Sequence, residues 1–266
     1  MLQKPSSDSI FKQKVEIKYS DLDFKGRLKT ISILNFLQDS SCIHASELKI
    51  SGFELEKKNL AWVVSKYHIE IIKLPRWNDT IFINTWRTPC KNLYELRHFN
   101  IKDKNGTDII NATGIWIMVK KENCRPVRLS RFLPDVMSNE KSLNSDLSVS
   151  ESDILNRKLR LPETIHCEIP FKVRMHDLDL NQHVNNAVYL EWAVETVPQK
   201  LTELYRPESI YVSFHKASFY GDNILSTAEH LENSSNPVTL HSITANRQDA
   251  SIELARVNIT WTSSKS

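Results

Sequence analysis

The segment "HDLDLNQHVNNAVYLEW" (176–192) places two carboxylates, two histidines and four amides within eleven residues. Three kinds of chemistry use such a set. Asp177, Asp179 and Asn181 open like a calcium loop, but that loop needs glycine at its sixth position and glutamate at its twelfth. Those places hold Gln182 and Val188. Zinc needs several well-spaced His or Cys ligands, and His176 with His183 falls short, so no metal is expected. A second reading is a polar helix cap, since Asp and Asn satisfy orphan N–H groups and suit the positive helix end. The third is an acid–base site built from carboxylate, amide and imidazole.

The elements around the segment occur twice. Residues 20–39, "SDLDFKGRLKTISILNFLQD", align without gaps with 176–195, "HDLDLNQHVNNAVYLEWAVE". Asp21, Leu22, Asp23 and Asp39 match Asp177, Leu178, Asp179 and Glu195. The preceding strands alternate in step, Val15, Ile17 and Tyr19 against Phe171, Val173 and Met175. Beyond the helix the offset drops from 156 to 143, through Asp79/Asp222, Ile81/Ile224 and Ala112/Ala255.

Each copy reads as strand, polar turn, helix and four extended segments. These are 60–73, 80–88, 93–103 and 107–119, then 209–218, 223–231, 238–246 and 251–262. "DKNG" (103–106) and "NRQD" (246–249) are the hairpin turns. The pattern predicts α+β architecture, each antiparallel sheet covering its own helix. The expected domains are 9–134 and 166–264, joined by a linker or crossover at 135–165. Val184, Val188, Trp192 and Val194 supply the apolar bulk of the second helix. Asn181 or Asn185 caps it, and Pro198 limits its extension.

Composition narrows the function. Hydrophobic residues make up 40% and charged residues 25% of the chain, enough for a sizeable core. No apolar run approaches the ~20 residues that cross a bilayer. The start, "MLQKPSSDSIFKQK", lacks the apolar stretch of a secretory signal. Cys42, Cys90, Cys124 and Cys167 are scattered, which suits reduced thiols in the cytoplasm. A net charge of +3 is short of a nucleic-acid footprint. Lys120, Lys121, Arg125, Arg128 and Arg131 form a local basic cluster, either a solvated loop or a docking patch for an acidic partner.

The two copies differ where the chemistry would be. The first keeps Asp23 but has Lys25 and Arg27 where the second has Asn181 and His183. A cap alone would allow the same residue types in both, so the asymmetry points to one active site per chain.

"DLDLNQHVNNAVYLEW" resembles the signature of acyl-acyl carrier protein thioesterases. "YSDLDFKGRLKTISILNFLQDSS", "LAWVVSKYHIEIIKLPRWNDTI" and "CRPVRL" are also similar to segments of that family. The resemblance spans about residues 10–262. It implies two tandem hotdog domains and hydrolysis of fatty acyl-acyl carrier protein to free fatty acid and holo-carrier, ending fatty acid synthesis. It implies no cofactor. By the same resemblance Asp179 is the catalytic carboxylate, as general base or nucleophile. Asn181 orients it or the water, and His183 binds water or shuttles a proton. N–H groups of Val184, Asn185 and Asn186 are candidate oxyanion donors. The first copy shapes the acyl pocket, with Ile33, Leu34 and Leu37 as candidate chain-length residues. A further family glutamate falls here on Ala217, and Glu195 is one conceivable substitute. His44, His68 and His215 read as structural or surface groups.

The expected partner is acyl carrier protein bearing a phosphopantetheine-linked acyl group, with the chain a monomer or a homodimer. Rival functions are an acyl-coenzyme A thioesterase on the same fold and a hotdog protein that binds acyl thioesters without cleaving them.

Overall fold

The computed structural model describes residues 10–133, 151–231, 236–247 and 250–264. Residues 135–150 of the expected linker, and Gln248 and Asp249 of the second hairpin turn, lie outside the described residues.

The chain divides into two compact units. One runs up to Lys29 and includes Asn35–Tyr67 and Ile72–Asn156. The other takes Thr30–Leu34, His68–Ile71 and the chain from Arg157 onward. The strands of the first copy are β1 (Phe11–Glu16), β2 (Leu60–Ile71), β3 (Thr80–Cys90), β4 (Tyr94–Asp103) and β5 (Asp108–Lys120). Its helices are α1 (Thr30–Glu47), α2 (Gly52–Glu56) and α3 (Leu129–Phe132), followed by α4 (Glu151–Asn156). The second copy has β6 (Cys167–Lys172), α5 (Asn186–Glu195), α6 (Gln199–Leu204), β7 (Tyr205–Phe214), β8 (Asn223–Leu231), β9 (Val238–Arg247) and β10 (Ala250–Ser263).

The order β1-β3-β4-β5-β2 in the first copy repeats as β6-β8-β9-β10-β7 in the second. The β1/β3, β3/β4 and β4/β5 pairs and the β6/β8, β8/β9, β9/β10 and β10/β7 pairs are antiparallel. A sheet of this order against one long helix is the hotdog fold, twice over. Seven of the eight expected extended segments fall within a few residues of their strands. The exception is β7, which begins and ends four residues earlier than the alternation implied. Pro207 is accommodated beside a register shift at Thr260/Trp261, and the chain leaves the ladder after Phe214, where His215 N and Lys216 N both donate to Leu254 O. "DKNG" is a turn held by Asp103, whose Oδ1 accepts from Asn105 N and Thr107 N. Among the described residues no helix is long and apolar enough to cross a membrane.

In the second copy α5 packs on β8, β9 and β10. Ala187, Val188, Tyr189, Leu190, Trp192 and Ala193 of the helix are buried. Under it, Ala228, His241, Val257 and Val212 form one row across four strands, all essentially without solvent exposure. A histidine tolerates that row because both ring nitrogens have partners. Nδ1 lies 2.9 Å from Thr196 Oγ1 and Nε2 2.8 Å from Thr239 Oγ1. Burial lowers the His241 pKa from its ordinary 6.5 to about 3.

The unfolded chain therefore takes up a proton below about pH 6.5 that the folded core refuses until about pH 3. This contribution to stability is complete above pH 6.5 and declines as pH falls through that window. The slope is about 1.4 kcal/mol per pH unit for one such group. His241→Gln should flatten the acid limb by about that slope. Urea midpoints measured at half-unit steps from pH 7 to pH 4 check this, and parallel limbs for the two proteins would contradict it.

Candidate active site

The path from β6 into α5 is set by three acidic or amide side chains with separate duties. Asp177 is buried and closes the first turn. Its carboxylate accepts from Arg174 N at 2.7 Å and pairs with the Arg174 guanidinium at 2.7 Å. Asn185 is the helix cap, its Oδ1 accepting from Ala187 N at 3.0 Å. Asp179 is thereby relieved of capping and stands between them in a tight loop. Asp179 N donates to His183 O at 2.8 Å, and Gln182 N to Asp179 O at 3.0 Å. The Asp179 Oδ1 accepts from Asn181 N at 2.8 Å and from His183 N at 3.4 Å. Its Oδ2 faces the Asn181 amide, Nδ2 at 3.5 Å.

The loop brings Asp179 and Asn181 side chains together. It ties His183 to them through the backbone alone, because the imidazole turns edge-on to Phe219 with ring centroids 5.1 Å apart. Phe219 carries Arg247 over its other contacts, the guanidinium 5.0 Å from the ring centre.

The first copy repeats this loop bond for bond. Asp23 N donates to Arg27 O, Gly26 N to Asp23 O, and Lys29 N to Asp21 O. Asp23 Oδ1 accepts from Lys25 N at 2.8 Å and Arg27 N at 2.9 Å. The difference lies in the second oxygen. Asp23 Oδ2 takes Arg27 Nε at 3.0 Å and Nη2 at 3.0 Å, a two-pronged ion pair. Arg27 occupies the place of His183, so the first carboxylate is closed by a guanidinium and the second is left to an amide.

Two expectations need correction. Of the three candidate oxyanion donors, Val184 N donates to Ser218 O at 2.9 Å and Asn185 N to Asp177 O at 2.8 Å. Both serve the strand-to-helix junction, which leaves Asn186 N, in the first turn of α5, as the remaining candidate of the three. Glu195 does not replace the missing glutamate. It sits exposed at the far end of α5, about 14 Å along the axis from Asn186 at ~1.5 Å per residue.

At Ala217 the chain offers a carbonyl, which accepts from Arg247 Nη2 at 2.8 Å. The nearby Asp222 is fully occupied. Its Oδ2 accepts from Ser218 Oγ at 2.8 Å, Phe219 N at 2.9 Å and the Arg247 guanidinium. Burial raises the Asp222 pKa, but these donors together hold it below the ordinary carboxylate value. Ser218 N in turn accepts no solvent role, donating to Tyr189 Oη at 3.0 Å. This Ser218–Asp222–Arg247 network buttresses the loop from the side of Val184, and the sequence signal for it was the Asp79/Asp222 match.

Sequence models of the acyl-ACP thioesterase N-terminal and C-terminal domains match residues 8–138 and 163–263. The chain belongs to the acyl-ACP thioesterase family. Dodecanoyl-[acyl-carrier-protein] hydrolase of Cinnamomum camphora is 26% identical over 217 residues, 78% of this chain and 56% of that protein. Oleoyl-acyl carrier protein thioesterase 1 of Arabidopsis thaliana is 28% identical over 218 residues, 77% and 60%. The chain thus spans less than two thirds of these relatives. The 12:0-ACP thioesterase structure from Umbellularia californica superposes with a TM-score of 0.83 at 21% identity, covering 96% of this chain and 94% of that one. At that identity the likeness concerns the fold.

In this acyl-ACP thioesterase family member the five basic residues all lie exposed. Lys120, Arg125, Arg128 and Arg131 line a concavity of about 670 Å³ together with Val127 and Phe132. Lys121 turns away to Glu56, at 2.6 Å. Ile33, Leu34 and Leu37 are fully buried on α1.

Because Asn185 rather than Asp179 caps α5, Asn185→Ala should lower stability by about 1 kcal/mol. Asp179→Asn should change it by less than about 0.5 kcal/mol, since an amide oxygen still accepts from Asn181 N. Chemical denaturation of the two variants tests the division of labour, and equal losses would refute it.

Proposed function

We propose that the chain hydrolyses fatty acyl-acyl carrier protein to free fatty acid and holo-carrier, ending fatty acid synthesis, with Asp179, Asn181 and His183 as its catalytic residues. The observation that carries the reading is the contrast between the two loops. Asp23 is neutralised by Arg27, whereas Asp179 keeps one oxygen facing only the Asn181 amide. Family membership and the names of the relatives support acyl-ACP as the substrate.

A thioester carbonyl is electrophilic, so cleavage needs an activated oxygen nucleophile, a place for the developing oxyanion and an exit for the thiol. The two backbone N–H groups on Asp179 Oδ1 fix the carboxylate without neutralising it. Oδ2 is then presented to a water or to the carbonyl carbon. Attack by water, with Asp179 taking its proton, yields a tetrahedral oxyanion that collapses to acid and thiolate. Direct attack yields an acyl anhydride that water opens in a second step. In the first route the proton taken from water passes to the leaving sulfur; in the second the thiolate departs as the anhydride forms and takes up the proton released when water opens it. Either transfer suits the imidazole of His183. Asn186 N at the α5 N-terminus is the oxyanion donor in this reading. The reading uses three residues, Ala217 standing where the family pattern has a further acid.

The exposed basic concavity around Arg125, Arg128 and Arg131 is assigned to the acidic carrier, where surface charge raises encounter rate and sets orientation. Ile33, Leu34 and Leu37 are assigned to the acyl pocket wall. The scattered cysteines suit action in the cytoplasm.

Asp179→Asn should lower kcat at least about 100-fold with the fold retained, read as thiol release from acyl carrier protein thioesters of several chain lengths. Full activity in that variant removes Asp179 from the mechanism. Release from coenzyme A thioesters in preference to carrier thioesters would shift the substrate to coenzyme A. For the docking patch, Arg125→Glu with Arg128→Glu should raise KM for acyl carrier protein at low salt and leave kcat near its original value. The effect should shrink as salt screens the pair. A KM independent of both charge and salt would place carrier docking elsewhere.

A further inference from the structure

The first sheet holds buried charges at the end of its inner face. Arg87 of β3 and Arg97 of β4 stand directly opposite each other, and Glu95, two residues along β4, bridges them. Glu95 and Arg97 are 2% and 3% exposed. Burial alone raises the Glu95 pKa, yet the two guanidinium groups hold it below its ordinary value, so it is ionised. From α1, His44 Nδ1 lies 2.8 Å from Arg97 Nη1. Burial, with Arg97 and Arg87 beside it, lowers the His44 pKa to about 4. The imidazole is therefore neutral and accepts. Two cations and one anion leave an excess positive charge in the interior.

Polar atoms without partners cluster at the same place. Of the buried side-chain polar atoms that find no hydrogen-bond partner among the described residues, four belong here: Tyr67 Oη, Thr85 Oγ1, Arg87 Nε and Trp116 Nε1. The register puts them together. Glu95 faces Trp116, and Arg97 faces Gly114, whose missing Cβ would lie 2.6 Å from the Tyr67 ring. Thr85 is two residues before Arg87 on β3, so it shares the inner face. Four polar atoms left without partners in the interior are costly, since each unmet group costs about 1–3 kcal/mol. The facing helix changes to match. Along the buried side of α1, Ile33, Leu34 and Leu37 give way to Ser40, Ser41 and His44.

We propose that the interior of the first unit is a binding site for an oxygen atom carried on the acyl chain, selecting hydroxy- or oxo-acyl groups over plain alkyl ones. This rests on the acyl thioesterase reading above. Arg87 Nε–H and Trp116 Nε1–H can only donate, and the Tyr67 and Thr85 hydroxyls donate or accept. That set recognises an acceptor oxygen. A methylene chain in the same place leaves all four atoms unmet.

The test pairs fatty acids of equal length, with and without one hydroxyl or oxo group moved along the chain. Binding of the free acids to the full chain is measured by calorimetry, and thiol release is measured on the matching carrier thioesters. At one oxygen position, binding and kcat/KM should each exceed the plain chain by at least about tenfold, the factor equal to ~1.4 kcal/mol. Tyr67→Phe and Trp116→Phe should each bring that ratio down several-fold, Tyr67→Phe being the variant that keeps the ring and its packing. A ratio near one at every position, or a ratio untouched by both variants, overturns the site and leaves the orphaned atoms to ordered water. Selective binding without cleavage of any thioester would instead defeat the hydrolase reading and keep the site. Cleavage of plain chains with no preference would do the reverse.

Discussion

Both halves of the molecule depend on one hydrogen-bonding arrangement: a carboxylate oxygen that gathers backbone N–H groups two and four residues ahead of it. Between a strand and a central helix the chain must reverse within five residues, and the N–H groups of such a turn have no ladder partner. Asp23 and Asp179 each supply that partner with Oδ1. One oxygen is thus committed to the fold, and the second is the only one open to variation. Arg27 takes it in the first copy, which turns the pair into a structural clasp. In the second copy it faces an amide that can orient a carboxylate without cancelling its charge. A change at one position, guanidinium or imidazole, separates a closed ion pair from a carboxylate oxygen left to an amide.

Much of this was legible because the chain carries its own control. The ungapped match of 20–39 with 176–195 fixed the loop, the helix start and the asymmetry together. The later offset of 143 placed β8 and β9 nearly to the residue. Less legible were features set by partners distant in sequence. Nothing in "QHVNNA" shows that Val184 N and Asn185 N are already engaged, because their acceptors, Ser218 O and Asp177 O, come from chain reversals. The early start of β7 escaped notice because Pro207 argues against a strand, and only the local register shift makes room for it. The buried charges were also missed. "TWRTPCKNLYELRHF" reads as a polar hairpin until register shows that Arg87, Glu95 and Arg97 share a face with Ile83, Phe99 and Ile101.

That face raises a question of energetics distinct from the loop. Replacing a buried ion pair by apolar residues is often neutral or stabilising, whereas orphaning one member costs several kcal/mol. Stability alone therefore gives no reason for two arginines and a glutamate inside a hotdog sheet. On the outer face of the same strands Leu96 and Ile115 pack under Ile154. That face also carries neutral polar side chains paired with one another, as His98 is with Thr113 and Asn100 with Asn111, whereas the charged groups Arg87, Glu95 and Arg97 lie on the inner side, toward His44 of α1.

The left-handed residue of each loop points the same way. Gly26 takes φ +69° and Gln182 takes φ +62° at equivalent positions. Glycine adopts that region freely, while a side-chain-bearing residue pays roughly 1–2 kcal/mol for it. The first loop, whose task is structural, has the relaxed residue. The second retains a strained one directly between Asn181 and His183, held by Gln182 N on Asp179 O and by the antiparallel bridge of Leu178 with Val184. Strain is tolerated where surrounding bonds over-determine the backbone. Those bonds converge on the one carboxylate of the pair that no cation has closed, so the same contacts that hold the left-handed residue also fix the direction of the Asp179 carboxylate.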